Sequence, residues 1–346
     1  MKEIKIGNKI LKLPIIQGGM GVGVSLGNLA GNVALEGGMG TISAAHPGYN
    51  NKNFDTDVLQ SNIQGLKNEI KKAKEIASGN GLIAVNIMVA INGYQNFIKT
   101  AVESKVDAII SGAGLPLDLP KYANKETLIA PIISSKKALE LIIRRWKRVY
   151  DRLPDFVVIE GPKAGGHLGF NKEDLIANTT ESLEDILSDV KQYLSDNELQ
   201  IPTFVAGGIY DYEDITHFLN LGADGVQMGT RFVTTNECDA DISFKQAYID
   251  STKEDIIFVK SPTGFTGRGI KNKYMEKIMQ SPNMAVDKCY NCLKKCNPMD
   301  TPYCITTALI NAVTGEKDSL IFCGSNAYKA DKLISVKDLM KELKGE

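Results

Sequence analysis

Short apolar runs recur eight times along roughly the first 240 residues, and segments with helical periodicity separate them. Most of the runs are rich in β-branched and aliphatic residues, which is typical of strands buried on both faces. They cover residues 13–16, 40–44, 82–87, 108–112, 128–133, 156–160, 203–208 and 225–229. Eight strands that alternate with helices match a (β/α)8 TIM barrel, which takes about 250 residues. We therefore predict this barrel. A doubly wound open sheet is the alternative, and it lacks the Gly-x-Gly-x-x-Gly turn of a dinucleotide fold.

The chain beyond residue 240 departs from this pattern. We predict an extra strand at 256–259, a glycine-rich candidate lid at 261–269, and helices at 305–313 and 336–343. Residues 322–327 are expected to return to the barrel mouth. The division is therefore a barrel over 1–240 and a smaller, Cys-containing, α-rich extension over 241–346 that partly packs on it. In the candidate lid, Arg268, Lys271 and Lys273 either meet an anionic substrate or cofactor, or are simply solvated.

Charge and composition limit the partners. The net charge is -1, so neither nucleic acid nor an anionic membrane is favoured. We find no long apolar run and no secretory leader pattern, and we expect a cytoplasmic protein acting on a small-molecule substrate. The oligomeric state stays open, with a homodimer as one option.

The most informative loop is Gly161-Pro-Lys-Ala-Gly-Gly-His-Leu-Gly-Phe170, directly after the sixth predicted strand. Glycine lets a backbone approach a ligand closely, and α/β barrels place their chemistry at the C-terminal ends of their strands. His167 is therefore a candidate catalytic residue. The alternative is a glycine-rich turn whose histidine only caps the next element.

Glycines also follow other strands, among them Gly112, Gly207, Gly208 and Gly229. In such barrels the loops after the seventh and eighth strands often bind phosphate through backbone N–H groups. Thr230 would add a hydroxyl donor there. Each glycine alone is explained by a tight turn, but the set predicts a phosphate-bearing cofactor.

Four segments carry a family resemblance: residues 15–20 (IIQGGM), 85–88 (VNIM), 164–169 (AGGHLG) and 223–232 (ADGVQMGTRF). Together they resemble the nitronate monooxygenase family, formerly called 2-nitropropane dioxygenase, whose relatives include flavin-dependent enoyl-acyl carrier protein reductases. The resemblance implies a barrel that binds FMN non-covalently. The implied flavin residues are Gly18, Gly19, Met20 and Asn86 at the ring and Gly166, Gly207, Gly208, Gly229 and Thr230 at the phosphate end, and we add Gly112. Lys163, where the reductases tend to carry an acid, and a longer fifth helix at 138–150 are departures that bear on the substrate.

The resemblance implies that His167 acts over the flavin, as a general base or as a hydrogen-bond donor at the substrate carbon. His46 lies at the same rim and is the second candidate, whereas His217 falls in a predicted surface helix. The implied activity is oxidation of alkyl nitronates with oxygen. The alternative is NAD(P)H-dependent reduction of an enoyl thioester, and a non-catalytic flavin-binding barrel is the third option.

Four of the six cysteines are closely spaced: Cys289, Cys292, Cys296 and Cys304. In a chain expected to be cytoplasmic, such spacing suggests a metal site before disulfides. Four thiolates suit either zinc or an iron–sulfur cluster, and we expect the cluster ahead of zinc. A redox pair and packing cysteines without a metal are the alternatives.

Overall fold

The computed structural model describes residues 1–280, 285–316 and 318–346 and confirms the predicted barrel. Eight parallel strands close in the order β10-β11-β3-β4-β5-β6-β7-β8. The barrel strands are β3 (Ile15–Gln17), β4 (Met39–Ser43), β5 (Leu82–Met88), β6 (Ala108–Gly112), β7 (Leu128–Ile133), β8 (Val157–Glu160), β10 (Thr203–Ala206) and β11 (Gly225–Met228). The remaining strands are β1 (Ile4–Ile6), β2 (Lys9–Leu11), β9 (Gly166–Leu168), β12 (Ile256–Lys260) and β13 (Thr266–Ile270).

The N-terminal end of the barrel is filled and the C-terminal end is left for a site. The hairpin of β1 and β2 contributes Ile6 and Leu11 to an apolar cluster inside the barrel, together with Phe156 and Phe204. The rings of Phe156 and Phe204 meet edge to face at 5.5 Å. Side chains of a strand alternate between its two faces, so residues two positions apart point the same way. When a strand places one residue in this cluster, its residue two positions later therefore also points into the barrel, nearer to the C-terminal end.

Helices surround the barrel at most connections, as the periodicity predicts. They are α1 (Gly27–Leu35), α2 (Val58–Ala77), α3 (Tyr94–Glu103), α4 (Lys136–Tyr150), α5 (Lys172–Ala177), α6 (Leu183–Asp196), α7 (Tyr212–Asn220), α8 (Thr230–Val233), α9 (Ile242–Ile249), α10 (Lys273–Gln280), α11 (Ile305–Val313) and α12 (Val336–Glu342). In the described ranges, none of them combines the length and the apolar character needed to cross a bilayer. The connection from β6 to β7 is an exception, with only a 3-10 turn at Leu119–Lys121. Pro116 and Pro120 lie in this connection, and proline lacks the N–H that a helix interior requires.

The C-terminal part corrects one expectation. Residues 261–269 are not a free lid. They contain the turn between β12 and β13 and all of β13 except its last residue, and β13 pairs antiparallel with β9. The predicted strand at 256–259 and the predicted helices at 305–313 and 336–343 are confirmed within a residue or so by β12, α11 and α12.

Candidate active site

His167 is held by strand pairing rather than by a loose loop. Strand β8 ends at Glu160, the chain turns through glycines, and β9 then pairs with β13 so that His167 lies opposite Gly267. A Cβ on Gly267 would lie 2.8 Å from the ring of Phe322, so only glycine fits beside the histidine there. The imidazole also packs against Phe322, with ring centroids 5.0 Å apart. The sixth strand therefore leads into a histidine with a fixed position.

His167 uses one ring nitrogen in a hydrogen bond and leaves the other facing no protein group. Its Nε2 lies 2.7 Å from the Ser261 hydroxyl, which is also bonded to the N–H (3.3 Å) and the hydroxyl (3.0 Å) of Thr263. If the Ser261 hydroxyl donates to Nε2, Nδ1 carries the proton. Nδ1 has no partner among the described residues. Burial lowers the pKa of His167 from 6.5 to about 4, so the ring is a neutral donor at neutral pH.

Glu160 is a site residue that the sequence analysis missed. Val158 belongs to the cluster inside the barrel, so the period of two directs Glu160 into the cavity that His167 also lines. The carboxyl makes no hydrogen bond or ion pair with any described residue. Burial raises its pKa from 4.5 to about 8, and the charge of Arg268 only partly offsets this effect. The sequence signal for Glu160 is its place two residues after the apolar Val158, because residues two apart on a strand share a face.

Arg268 shapes the loop between Glu160 and His167. Its guanidinium donates to the carbonyls of Ala164 and Pro162, the latter at 2.9 Å, and lies 4.8 Å from the Phe258 ring centroid. Arg268 is 7% exposed, so neither of the two alternatives for it, contact with an anionic ligand or simple solvation, describes it. Because strand β13 points it inward, it satisfies backbone carbonyls. Lys271, for which the same two alternatives were open, pairs with Glu276 at 3.5 Å.

One cavity at the C-terminal end of the barrel collects the predicted residues. Its lining includes His167 and every residue expected at the cofactor: Gly18, Gly19, Met20, Asn86, Gly112, Gly166, Gly207, Gly208, Gly229 and Thr230. These residues come from six different strands or the loops after them. Their convergence is a consequence of barrel closure, since all parallel strands end at the same rim.

One part of the cavity lining combines close backbone approach with an unpaired amide oxygen. A Cβ on Gly19 would lie 2.3 Å from the Cβ of Asn86, so the backbone there must approach without a side chain. Gln227, two residues before Gly229, also lines the cavity, and its buried Oε1 has no partner among the described residues. An unpaired buried amide oxygen is costly unless a ligand N–H meets it. Gln227 is the second site residue that the sequence analysis missed.

The loops after β10 and β11 line another part of the cavity. Gly207 and Gly208 have φ of +102° and +87°, a region that favours glycine. The hydroxyl of Thr230 accepts the N–H of Gly324 at 2.9 Å, so its own proton is free to be donated. Asn326 donates to the carbonyl of Gly208 at 2.7 Å. Residues 322–327 therefore return to the barrel mouth, as predicted.

The other two histidines are accounted for by structure. His46 accepts from the amide of Asn62 at Nδ1 (3.0 Å) and contacts the Thr306 hydroxyl at Nε2 (2.9 Å), and burial lowers its pKa to about 4. Both ring nitrogens are occupied, which leaves none for a substrate. His217 lies exposed on α7, 3.3 Å from Glu184, as its predicted surface position implies.

The metal prediction for the cysteine cluster is not supported. Among the described residues, which include all four cysteines, no three His, Cys, Asp or Glu side chains are close enough to hold a metal ion. The segment from 285 to 304 forms no helix, and the thiols of Cys292 and Cys296 bond to Thr306 and Thr301. Burial raises the pKa of Cys292 to about 11. Cys289 is exposed, and its sulfur accepts the N–H of Asn291 at 3.4 Å.

The fold and the cavity together define an oxidoreductase built on a cofactor-binding barrel. The chain belongs to the nitronate monooxygenase family, whose sequence pattern matches residues 2–346. The family resemblance noted in the sequence is thereby confirmed, and it supports an FMN-type enzyme.

Individual relatives agree with this assignment. The chain is 28% identical over 294 residues to a probable nitronate monooxygenase of Staphylococcus aureus, covering 78% of both chains. A probable nitronate monooxygenase of Staphylococcus saprophyticus is 29% identical over the same length and coverage. Two solved structures share the fold. Nitroalkane oxidase of Streptomyces ansochromogenes gives a TM-score of 0.74 at 20% identity, and the match covers 96% of this chain and 95% of that one. FabK of Thermotoga maritima gives a TM-score of 0.70 at 23% identity, and the match covers 97% of this chain and 92% of that one.

Proposed function

We propose that the protein oxidises alkyl nitronates with oxygen, using FMN held in the cavity at the barrel mouth. Asn86 and Gln227 would bind the ring edge over Gly18 and Gly19. The loops with Gly207, Gly208, Gly229 and Thr230 would bind the phosphate. When bound, FMN takes electrons from the organic substrate and passes them to oxygen, while the protein supplies orientation and proton control.

The observation that carries the proposal is the fixed position of His167 in the cavity, where strand pairing and the contact with Ser261 hold its ring. A nitronate has already lost its α-proton, so its oxidation needs no strong base. A histidine with a pKa of about 4 is a poor base at neutral pH but remains a good N–H donor. The N–H at Nδ1 would donate a hydrogen bond to the nitronate oxygens. This bond would orient the reacting carbon. Of the two roles expected for His167, the donor role is thus the better supported.

Glu160 supports the alternative function, which is reduction of an enoyl thioester. An enoyl thioester that accepts a hydride at one carbon must receive a proton at the next. A carboxyl with a pKa of about 8 would still hold a proton at neutral pH and lines the same cavity. NAD(P)H-dependent reduction of an enoyl thioester is therefore the second candidate.

Steady-state assays of the purified protein separate the two. We expect oxygen uptake with propyl or hexyl nitronate and no NAD(P)H consumption with a crotonyl thioester. His167→Ala should keep its FMN while kcat/KM for the nitronate falls by roughly 10²–10³, the usual loss for one positioned donor. His217→Ala, a histidine change on the surface, is the matched control and should keep full activity. Enoyl-dependent NAD(P)H consumption without oxygen uptake would reject the nitronate proposal.

A further inference from the structure

A side chamber lies next to the proposed cofactor cavity, beside His167. It lies between the loop after β4, the first turn of α2, the loop after β5 and the segment 289–309. Ala45, Met88, His167 and Leu309 line both spaces, so the two are direct neighbours. Resting on the function proposed above, we infer that this side chamber holds the hydrocarbon chain of the substrate, and that the enzyme prefers long-chain alkyl substrates over short ones.

Much of the wall of the side chamber is apolar. Its buried apolar lining residues come from separate parts of the chain: Val22, Ala44, Ile91, Phe97, Leu293 and Ile305, each no more than 7% exposed. Its volume of about 540 Å³ is within the usual range for a small-molecule pocket. An apolar cavity of this size gains free energy from an apolar occupant in proportion to the area removed from water.

The polar groups inside the side chamber are already satisfied by one another. Asn62 donates to Nδ1 of His46, so Nε2 carries the proton and donates to the hydroxyl of Thr306. The hydroxyl of Thr306 in turn bonds to the sulfur of Cys292. Asp55 is exposed at the rim and is paired with Lys288 at 2.5 Å. An occupant would therefore meet few unpaired polar atoms, which suits a hydrocarbon better than a nucleotide.

His167 also lines another cavity, which has a more acidic lining. Apolar residues such as Ile132 and Phe170 line part of it, but so do Glu160, Asp174 and Glu181. An alkyl chain placed against these carboxyl groups would remove them from water without giving them a partner. The side chamber has one acidic residue, Asp55 at its rim, and therefore suits the substrate tail better.

The preference can be measured as a chain-length slope. Each buried methylene is worth about fourfold in binding, so kcat/KM should rise about fourfold per methylene from ethyl to octyl nitronate. Leu59→Trp, on the first turn of α2, should flatten the slope by filling the side chamber. Leu59→Ala should extend the rise to longer chains. Leu141→Trp is the matched control, because it makes the same change on α4, outside the side chamber. This variant should show the same chain-length slope as the wild type.

A titration without turnover separates this inference from the proposed function. Alkyl carboxylates share the planar anionic head of a nitronate, and their binding can be followed as a perturbation of the FMN spectrum. Their affinity should rise with chain length in the wild type and not in Leu59→Trp. If no nitronate is oxidised but this dependence holds, the function is rejected and the side chamber stands. If nitronates are oxidised at equal efficiency whatever their length, the side chamber inference is overturned and the function stands. The side chamber inference would also be overturned if carboxylate affinity did not change with chain length. The same holds if Leu59→Trp impaired only the reaction with NAD(P)H.

Discussion

Two residues next to the reacting position have opposite pKa shifts with the same cause. Burial lowers the pKa of His167 to about 4 and raises that of Glu160 to about 8. Desolvation penalises the charged form of each group, so both are neutral between these values. The cavity therefore offers an uncharged donor and an uncharged carboxyl to an anionic substrate throughout the neutral range.

Activity should depend on the charge of Glu160. As pH rises through about 8 the carboxyl ionises, and its charge then repels the anionic nitronate. We expect kcat/KM for hexyl nitronate to fall about tenfold per pH unit above this value in the wild type, while Glu160→Gln stays flat. A pH series of initial rates for both proteins is the measurement. The same alkaline fall in Glu160→Gln would assign it to another group.

The stability of the protein should show the same ionisation with a definite sign. The folded-state pKa of Glu160 lies above its ordinary value of 4.5, so the folded protein binds a proton that the unfolded chain has released. The contribution to stability is complete below 4.5 and is lost as pH rises through about 8. Glu160→Gln should therefore unfold at a higher temperature than the wild type at pH 9 and show a smaller gain at pH 5. Equal differences at the two pH values would contradict the assignment.

At the level of elements, the sequence predicted what local patterns encode. Apolar runs and helical periods identified the barrel strands, because burial on both faces leaves a continuous apolar run. The pairing of β9 with β13 joins residues about a hundred positions apart, and no local pattern encodes it. For the same reason Arg268 looked like a free cation on a lid, although it bonds to the loop before His167. Spacing along a chain does not by itself decide whether sulfur atoms converge, and among the described residues no three potential ligands do.

The loop after β11 should determine cofactor binding. Gly229 has a negative φ, so a side chain there is limited only by space: a Cβ would lie 3.3 Å from the sulfur of the flexible Met20 side chain. Gly229→Ala should therefore retain FMN. The larger side chain of Gly229→Leu should project into the part of the cavity where we propose that the phosphate binds, and this variant should lose FMN. Flavin content per protein, with circular dichroism to check folding, is the measurement. A folded Gly229→Leu protein with full FMN content would place the phosphate elsewhere.

Across the whole molecule, the C-terminal part completes the barrel rather than standing apart. Tyr248, Leu320 and Leu339 are buried in the same apolar cluster as Trp146 and the other residues that face the barrel helices. The N–H of Gly324 reaches Thr230 in the cofactor cavity. The division at residue 240 marks a change of sequence pattern, and the two parts share one core.

This shared core predicts a single unfolding transition. Trp146, the one tryptophan of the chain, reports on the barrel, and Cys323, 3% exposed, reports on the C-terminal part. Tryptophan fluorescence and protection of Cys323 from alkylation should therefore be lost at the same denaturant concentration. Loss of Cys323 protection well before the fluorescence change would mean that residues 241–346 unfold as a separate unit.

The account as a whole depends on electrons moving from a nitronate to FMN at His167. Anaerobic stopped-flow mixing of the yellow protein with hexyl nitronate tests this directly, because only the first half of the reaction can proceed. We predict loss of the visible flavin absorbance at a rate no slower than kcat, a roughly 10²–10³-fold slower loss in His167→Ala, and no change with NAD(P)H. Rapid loss of absorbance with NAD(P)H and none with nitronate would contradict the account, as would a colourless protein that FMN cannot reconstitute.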